Sequence, residues 1–448
     1  MRAEHLISII VHPLGRDTFT LQSITKLVNH MALDQVLDHI CPYMAGSRLF
    51  GVIKKDSSLR PITVSNIFRR LTSKVMASAV AHKTKSIFYL SQLRVGQRNS
   101  CESIIHAVVR GLSDNPDKFL LQVDLINAYG QSDRVETFKQ VDKHLPECLD
   151  WVLSCYEQPS YMFFGDRHIL SAHGCQQGDP FSSITFALNL QPVLNRINRE
   201  IPDLVLNEWF QDDGNLIGSL DQLARAVNII NEEGPNRGLV LSTSHTSNNS
   251  KSLVWGSCIS QVSDDRLGKG IPAKKSQGIV TLGCPIRSAD CIKQYIEEKI
   301  SKVQNLTDKL QTLNDAQLEY ILLRSCLHLP KVIYLLRTVD PQPYLKQWAQ
   351  FDMVTREALS RILANPVTDQ VWCEAKLPPT MGGLGLRSAV DHAPTPFITS
   401  VNQSHNTVKD ILHNPDLPCI KVSNQLIENL ITAIGDSHVT EAHHLEEF

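Results

Sequence analysis

The spacing of apolar residues changes repeatedly along the chain and predicts interleaved strands and helices. Residues 119–124 (FLLQVD) are a short apolar run that ends on a carboxylate, which is typical of a buried strand. Residues 162–169, with a Gly-Asp pair in the middle, predict a hairpin. Residues 134–144 are predicted to be helical, and the apolar spacing of residues 182–197 predicts a largely buried helix.

Two further segments decide the fold class. Residues 205–217 predict a strand, a tight turn and a second strand, with Asp213-Gly214 as the turn pair. Residues 291–313 place apolar residues at alternating three- and four-residue steps, which predicts an amphipathic helix of about six turns. Because the strands and helices alternate irregularly, the sequence favours an α+β fold over a repeating βαβ sheet.

The chain has 448 residues, which is long enough for about three domain-sized units. Its charged residues are distributed unevenly along the sequence. The net charge of −2 excludes a uniformly basic protein, so any nucleic-acid surface must be a local patch. Residues 54–85 contain eight Lys and Arg against one acid, Asp56. This basic run is a candidate phosphate-binding surface, and a solvated helix face is the alternative interpretation.

Cysteine usage and hydropathy bear on the compartment. The chain has 11 Cys and no C-x-x-C pair, which excludes a zinc ribbon and a thioredoxin-type site. An odd, low cysteine count favours reduced thiols in an intracellular, non-secreted protein, nuclear or cytoplasmic. No apolar run reaches the length of a signal peptide core or of a membrane span, so no membrane association is expected.

Three acidic residues are the strongest candidates for chemistry. Asp212 and Asp213 are adjacent on the predicted turn, and Asp124 ends the predicted strand before them. Ordinary turn chemistry for the pair, and an N-cap role for Asp124, are the competing interpretations. If the three carboxylates converge, a pair of Mg²⁺ ions about 4 Å apart would relieve their repulsion and would suit in-line attack on a phosphate.

A glycine-containing loop is a further candidate for a functional segment. Residues 173–180 (HGCQQGDP) lead into the predicted helix, and glycines at such a junction allow close backbone approach, while a helix N-terminus favours anions. An ordinary Gly-Asp-Pro turn would have the same sequence. The loop lacks the Lys-Ser/Thr ending of a P-loop, and the chain has no strand-linked G-x-G-x-x-G, which disfavours mononucleotide switches and dinucleotide dehydrogenases.

These segments belong to a longer series of motifs. In chain order the series is 54–62 (KKDSSLRPI), 121–129 (LQVDLINAY), 174–180 (GCQQGDP), 210–213 (FQDD), 278–285 (GIVTLGCP), 322–338, and Trp372 with 382–387 (GGLGLR). Over roughly residues 40 to 400, this order and spacing resembles the reverse transcriptases of retroelements, most like those of non-LTR retrotransposons. By that resemblance the segments correspond, in order, to the fingers, the first carboxylate motif, the template-side loop, the aromatic-x-Asp-Asp box, the primer grip, the thumb and an extension past it.

The resemblance implies a right-hand polymerase fold of the α+β class, with a palm built on a split βαβ antiparallel sheet. The implied domains are an N-terminal helical lead-in (1–40), fingers (41–117), palm (118–290, with an insertion at 131–170), a helical thumb (291–340) and a C-terminal helical extension (341–448).

The resemblance also implies the site residues. Asp124 and Asp212 would ligate two Mg²⁺ ions, with Mn²⁺ as a possible substitute, and Asp213 would assist. The implied nucleotide-binding residues are Lys55, Arg60, Tyr129, Gln177 and Lys251. The implied template and primer residues are Gly174, Gly178, Pro180 and Gly283.

The nucleotide-binding residues have different implied roles. Arg60, together with Lys55, would grip the triphosphate, and Gln177 would pack under the template or the incoming base pair. Lys251 would protonate the departing pyrophosphate, with a surface lysine as the alternative. Tyr129 would exclude a ribose 2′-hydroxyl by its bulk, whereas RNA-dependent RNA polymerases place an Asp there. A core tyrosine is the alternative for that position.

Two functions follow from these motifs. The first is RNA-directed DNA polymerase, with an RNA template, a DNA primer and dNTPs as partners; protein partners are left open. The second is an inactive relic that acts as a nucleic-acid-binding module. Intact acids favour the first, and departures from the family pattern favour the second. The departures are Gln211 for a small or apolar residue, Phe181-Ser182-Ser183 for apolar-Gly-Pro, Ser57-Ser58 for a Gly pair, and Gly130 for Asn.

Overall fold

The computed structural model describes residues 18–33, 36–53, 57, 59–244, 251–259 and 270–418. The chain divides into two compact units. The first consists of Met1–Arg98 and Asp117–Lys274, and the second of Asn99–Pro116 and Lys275–Phe448. The boundaries expected for fingers, palm, thumb and extension stay predictions.

Strands and helices alternate along the described residues. Strands β1 to β10 are Ser47–Ile53, Leu59–Ser65, Phe119–Val123, Ser160–Phe164, Arg167–Ser171, Leu206–Phe210, Asp213–Gly218, Leu253–Trp255, Ile279–Thr281 and Cys284–Ile286. Helices α1 to α17 are Thr18–Ala32, Cys41–Met44, Ile67–Ala79, Ala81–Phe88, Ser100–Asp114, Ala128–Gln131, Arg134–His144, Leu149–Tyr156, Ser182–Glu200, Leu220–Glu233, Ala289–Leu310, Ala316–Leu322, Ile333–Thr338, Leu345–Leu363, Asp369–Lys376, Ala389–His392 and Pro394–Ile411.

The main sheet of the first unit is antiparallel, with the strand order β6-β7-β3-β8. It confirms the predicted strand at 119–124 and the hairpin within 205–217. The expected turn pair Asp213-Gly214 is wrong by two residues, because Asp213 already pairs with Phe210 in the ladder. Gly214 is needed inside β7, since a Cβ there would lie 2.7 Å from the Trp209 ring. The turn is therefore Gln211-Asp212.

Helices α9 and α10 cover one face of this sheet. Their apolar residues share a buried core with residues of β3, β6 and β7, namely Phe186, Leu190, Val193 and Leu194 from α9, Leu223, Val227 and Ile230 from α10, and Leu121, Val123, Trp209 and Leu216 from the sheet. The predicted helix at 182–197 is confirmed and extends to Glu200. This packing holds in place the end of the sheet at which the candidate acids lie.

A second sheet in the same unit has the order β2-β1-β4-β5. Strand β1 pairs with β2 in antiparallel register and with β4 in parallel register, and β4 and β5 form the hairpin predicted within 162–169. The helix predicted at 134–144 is confirmed as α7. Strand β2 carries Arg60, so this sheet supplies one of the predicted phosphate ligands.

The second unit is largely helical. Helix α11 confirms the predicted amphipathic helix, and its last three predicted residues form the 3₁₀ helix Gln311–Leu313. Its core includes Ile296 with Trp348 and Phe351 of α14. In the same unit, the Arg337 guanidinium binds the Glu102 carboxylate through two bonds of 2.7 Å, which ties α13 to α5. None of the helices in the described residues is long and apolar enough to cross a bilayer.

Candidate active site

Three carboxylates lie at one end of the main sheet. Val123, the last residue of β3, pairs with Gly214 of β7, so Asp124 follows β3 at the end where Asp213 begins β7. Asp212 occupies the turn next to Asp213. The structure thus places Asp124, Asp212 and Asp213 at the same end of the sheet. Asp124 is not a helix N-cap, because Asn127 occupies that position for α6.

The backbone of Asp124 is held by two serines. Its amide N–H lies 3.1 Å from the Ser252 Oγ, and its carbonyl oxygen accepts hydrogen bonds from the Ser252 hydroxyl (3.1 Å) and the Ser242 amide (2.9 Å). Sequence reasoning missed both serines, which lie more than a hundred residues away along the chain. They fix the position from which the Asp124 carboxylate extends.

Burial raises the pKa of two of these acids. Limited hydration of the carboxyl group, followed by the negative charges of Asp212 and Asp124, raises the pKa of Asp213 to about 6. Burial also raises the pKa of Asp212, and the positive charges of Arg60 and Lys251 oppose that rise. Arg60 and Lys251 are thus within electrostatic range of both Asp212 and Asp213.

Among the described residues, Lys251 carries the cation that lies nearest to the candidate acids. Its Nζ lies 4.0 Å from Oδ2 of Asp124, although its side chain is about half exposed. Arg60 is exposed on β2 and acts on Asp212 and Asp213 through its charge. Lys55 lies outside the described residues. Two of the three predicted phosphate-binding cations are therefore placed beside the acids.

The donor set fits a hard divalent cation. Three carboxylates offer oxygen ligands, and the pKa of Asp213 is raised by burial and then by the charges of Asp212 and Asp124, although Lys251 and Arg60 oppose the rise. As the side chains stand, no group of three or more His, Cys, Asp or Glu in the described ranges is placed to hold an ion. The three acids thus have the oxygen donors that a divalent cation requires. Their side chains are not arranged as a set of metal ligands.

We expect the Asp213→Asn variant to be more stable than the wild type in EDTA at pH 7.5, with the difference vanishing near pH 4. Folding raises the pKa of Asp213 to about 6, from the ordinary value of about 3.8 for an aspartate. Ionisation therefore destabilises the fold as pH rises from about 4 to 6, and the penalty persists above pH 6. Thermal melts across this range check it, with exposed Asp203→Asn as control; a difference independent of pH would contradict it.

The loop before α9 is pinned against residue 129. Gly174 has a φ of 64°, and a Cβ there would lie 2.3 Å from the Tyr129 carbonyl oxygen. The Cys175 amide donates to that oxygen at 2.8 Å. The Arg134 guanidinium donates to the carbonyl oxygens of Gly174 and Ser171, each at 2.9 Å. Sequence reasoning missed Arg134, whose only signal was its place at the start of a predicted helix.

The second half of the loop is joined to β2. Gly178 has a φ of 123°, and a Cβ there would lie 2.2 Å from the Thr63 carbonyl oxygen. The amide and hydroxyl of Thr63 both donate to the Gln177 carbonyl oxygen, at 3.0 and 2.9 Å. Because β2 also carries Arg60, these bonds couple the loop to the strand with the predicted phosphate ligand.

A buried ion pair anchors the loop at its Gly-Asp-Pro end. Asp179, which precedes Pro180, accepts a 2.7 Å hydrogen bond from Nε of Arg69, and both side chains are almost fully buried. The Arg69 guanidinium also donates to the Ala45 carbonyl oxygen. Sequence reasoning missed this pair, although both residues lie in segments that it singled out.

Tyr129 lies beside the acidic turn. Its hydroxyl donates to Oε1 of Gln211 at 2.5 Å, and its ring stacks on Phe186 with centroids 4.8 Å apart. Burial raises its pKa well above the ordinary value, so the hydroxyl stays protonated and remains a donor. The predicted nucleotide-selecting ring is thus adjacent to the candidate catalytic residues.

Gly283 belongs to the second unit. It lies at the tip of the β9–β10 hairpin with a φ of 79°. The Tyr295 hydroxyl donates to its carbonyl oxygen at 3.1 Å, and the Tyr334 hydroxyl donates to the Leu282 carbonyl oxygen at 2.8 Å. These two bonds fix the tip of the hairpin predicted to contact the primer.

The site can be compared with known proteins. Residues 52–285 match the family model described as reverse transcriptase (RNA-dependent DNA polymerase), and this segment makes up just over half of the chain. The chain belongs to the reverse transcriptase family. The match includes all three acids, Tyr129 and the glycine loop. The predicted family and its right-hand, α+β polymerase fold are therefore confirmed.

One relative of this chain is a protein of a retrotransposable element. The chain is 21% identical over 389 residues to the retrotransposable element SLACS 132 kDa protein of Trypanosoma brucei gambiense. The match covers 84% of this chain and 31% of that protein, so the chain spans about a third of its relative's length. The likeness agrees with the retrotransposon type expected from the motifs.

Solved structures similar to this chain include telomerases. The telomerase of Candida albicans in complex with a fragment of telomeric RNA is 10% identical, covers 85% of this chain and 66% of its own, and has a TM-score of 0.42. The apo telomerase of Candida tropicalis is 12% identical, covers 86% of this chain and 68% of its own, and has a TM-score of 0.39.

Proposed function

We propose that this chain catalyses RNA-directed DNA synthesis, in which the 3′-hydroxyl of a DNA primer attacks a dNTP opposite an RNA template. The observation that carries the proposal is that Asp124, Asp212 and Asp213 lie at the same end of the main sheet, in a chain of the reverse transcriptase family. Their mutual charge repulsion supports a site that works with bound cations.

Asp124 and Asp212 would hold two Mg²⁺ ions, or Mn²⁺ in their place, with Asp213 assisting. Bound there, such ions would supply activation of the attacking hydroxyl and stabilisation of the leaving pyrophosphate. The proposal draws support from oxygen-only donors and from the serine bonds that fix the Asp124 backbone.

Cationic residues beside the acids would bind the phosphates. Arg60 would grip the triphosphate through its planar guanidinium, with Lys55 as a second cation from the same motif. Lys251 would protonate the departing pyrophosphate, since its Nζ lies 4.0 Å from the Asp124 carboxylate. Its half-exposed position leaves the ammonium group accessible to a bound nucleotide.

The glycine loop and the primer hairpin would place the nucleic acid. Gln177, Gly174, Gly178 and Pro180 would line the template side, supported by the bonds that join the loop to Tyr129 and β2. Gly283 would contact the primer from its fixed hairpin tip. Tyr129 would select deoxyribose by occupying the space of a 2′-hydroxyl.

The proposed setting is intracellular. The odd and low number of cysteines, 11 in 448 residues, supports a reducing compartment. RNA template, DNA primer and dNTPs are the proposed partners. Copying of a retroelement's own RNA fits the retrotransposon relative, of which the chain spans only part.

Primer extension on poly(rA)/oligo(dT) with dTTP tests the proposal directly. We expect extension with Mg²⁺ or Mn²⁺ and none with EDTA, because the carboxylates need cations to bind the triphosphate. Filter binding of the same template and primer gives the second readout. Retained binding without extension under either cation would contradict the enzyme and support a binding module.

A further inference from the structure

Gln211 is the first residue of the turn that carries Asp212. Its backbone has a φ of 63°, in the left-handed region, and its side chain is 5% exposed. The fully buried Gln92 clamps this conformation. Its amide nitrogen donates to the Gln211 carbonyl oxygen at 2.9 Å, and its amide oxygen accepts from the Gln211 N–H at 3.0 Å. The direction of the Gln211 side chain is therefore fixed by its backbone.

The Gln211 side chain ends on the Tyr129 hydroxyl. That hydroxyl donates to Gln211 Oε1. One face of the Tyr129 ring stacks on Phe186, with an angle of 14° between the ring planes. The ring is thus fixed at its face and at its tip. Gln211 is one of the residues at which the sequence departs from the family pattern.

Structural stability alone does not account for a glutamine here. Nε2 of Gln211 is buried and has no hydrogen-bond partner among the described residues. A buried amide N–H without an acceptor destabilises a fold, and an apolar residue of the same size would avoid that cost. The side-chain oxygen, in contrast, has one defined partner, which is the ring predicted to select the sugar.

We propose that Gln211 is a positioning residue that holds the Tyr129 ring in place and thereby sets discrimination between dNTPs and rNTPs. The inference rests on the proposed function. A bulky ring excludes a 2′-hydroxyl only when it does not move aside, so restraint of the ring adds to selectivity. Loss of one hydrogen bond of ordinary strength corresponds to about a 3- to 10-fold change in an equilibrium or rate ratio.

The test compares kcat/KM for dTTP and UTP on poly(rA)/oligo(dT). Gln211→Met keeps the side-chain volume and removes the acceptor, so we expect the dTTP:UTP ratio to fall about 3- to 10-fold, mainly through a lower KM for UTP. Tyr129→Phe keeps the ring and removes the donor, and should give a similar loss. The double variant should lose no more than either single variant, because both remove the same bond.

Gln191→Met is the matched control, since Gln191 is also 5% exposed and hydrogen-bonds Ser91 and Asn195 instead of Tyr129. Its ratio should equal that of the wild type. If Gln211→Met does not fold, as judged by its melting curve, Tyr129→Phe carries the test, because it removes the same hydrogen bond from the other side. Extension by the wild type with an unchanged ratio in these variants would overturn this inference alone. No extension by the wild type would overturn the proposed function as well.

Discussion

Asp212→Asn is expected to lower the rate of dNTP incorporation by about three orders of magnitude or more. Asparagine keeps the shape of the side chain and one of its oxygens but removes the negative charge. A metal ligand at the reacting phosphate contributes several kcal/mol to stabilisation of the transition state, and each 1.36 kcal/mol is a factor of ten in rate. Asp212 lies on a turn clamped by Gln92, so the variant should keep its backbone position.

Single-nucleotide incorporation on poly(rA)/oligo(dT) measures this effect, with exposed Asp203→Asn as a control for loss of one acid. The melting temperature of Asp212→Asn should equal or exceed that of the wild type, because burial already disfavours the charged form of Asp212. Lost activity with retained stability and filter binding identifies a catalytic charge. Activity within tenfold of the wild type would remove Asp212 from the site.

Local sequence pattern was enough to predict the elements that carry the site. Apolar spacing predicted α7 with its observed bounds and β3 to within one residue. The meeting of Asp124 with Asp213 follows from the antiparallel pairing of β3 and β7, which the family resemblance implied. The turn was misplaced because Asp-Gly is a strong turn signal, and only the packing of Trp209 shows why the glycine belongs inside the strand.

Long-range polar partners were not predictable from the sequence. Arg69 hydrogen-bonds Asp179, which is 110 residues away in the sequence. Arg134 donates to the carbonyl oxygen of Gly174, which is 40 residues away. Such pairs depend on which buried groups face each other after folding. Hydrophobic periodicity predicts local elements and does not predict these tertiary partners. The same holds for the pairing of Glu102 with Arg337 in the second unit. Local motifs therefore predicted the candidate site residues, and the structure added the polar partners that hold their segments in place.

Asp179→Asn is expected to lower the free energy of unfolding by about 3–5 kcal/mol. It removes one partner of a buried pair and leaves the Arg69 guanidinium as an uncompensated buried charge. Nη2 of Arg69 already has no hydrogen-bond partner in the part of the chain that the structure describes. The template loop should loosen as well, because Asp179 also accepts a 2.8 Å bond from the Phe181 amide at the start of α9. Urea unfolding followed by circular dichroism measures the loss.

Glu147→Gln is the matched control for that measurement. Glu147 pairs with Lys83 at 2.6 Å, yet both side chains are at least 40% exposed, so its loss should cost well under about 1 kcal/mol. The double variant Arg69→Met with Asp179→Leu should recover most of the stability lost in Asp179→Asn, because no charge stays buried. Equal losses in the buried and exposed variants would show that the Arg69–Asp179 pair does not anchor the loop. Recovery of stability without recovery of dNTP incorporation would instead show that the pair holds the loop in its working position.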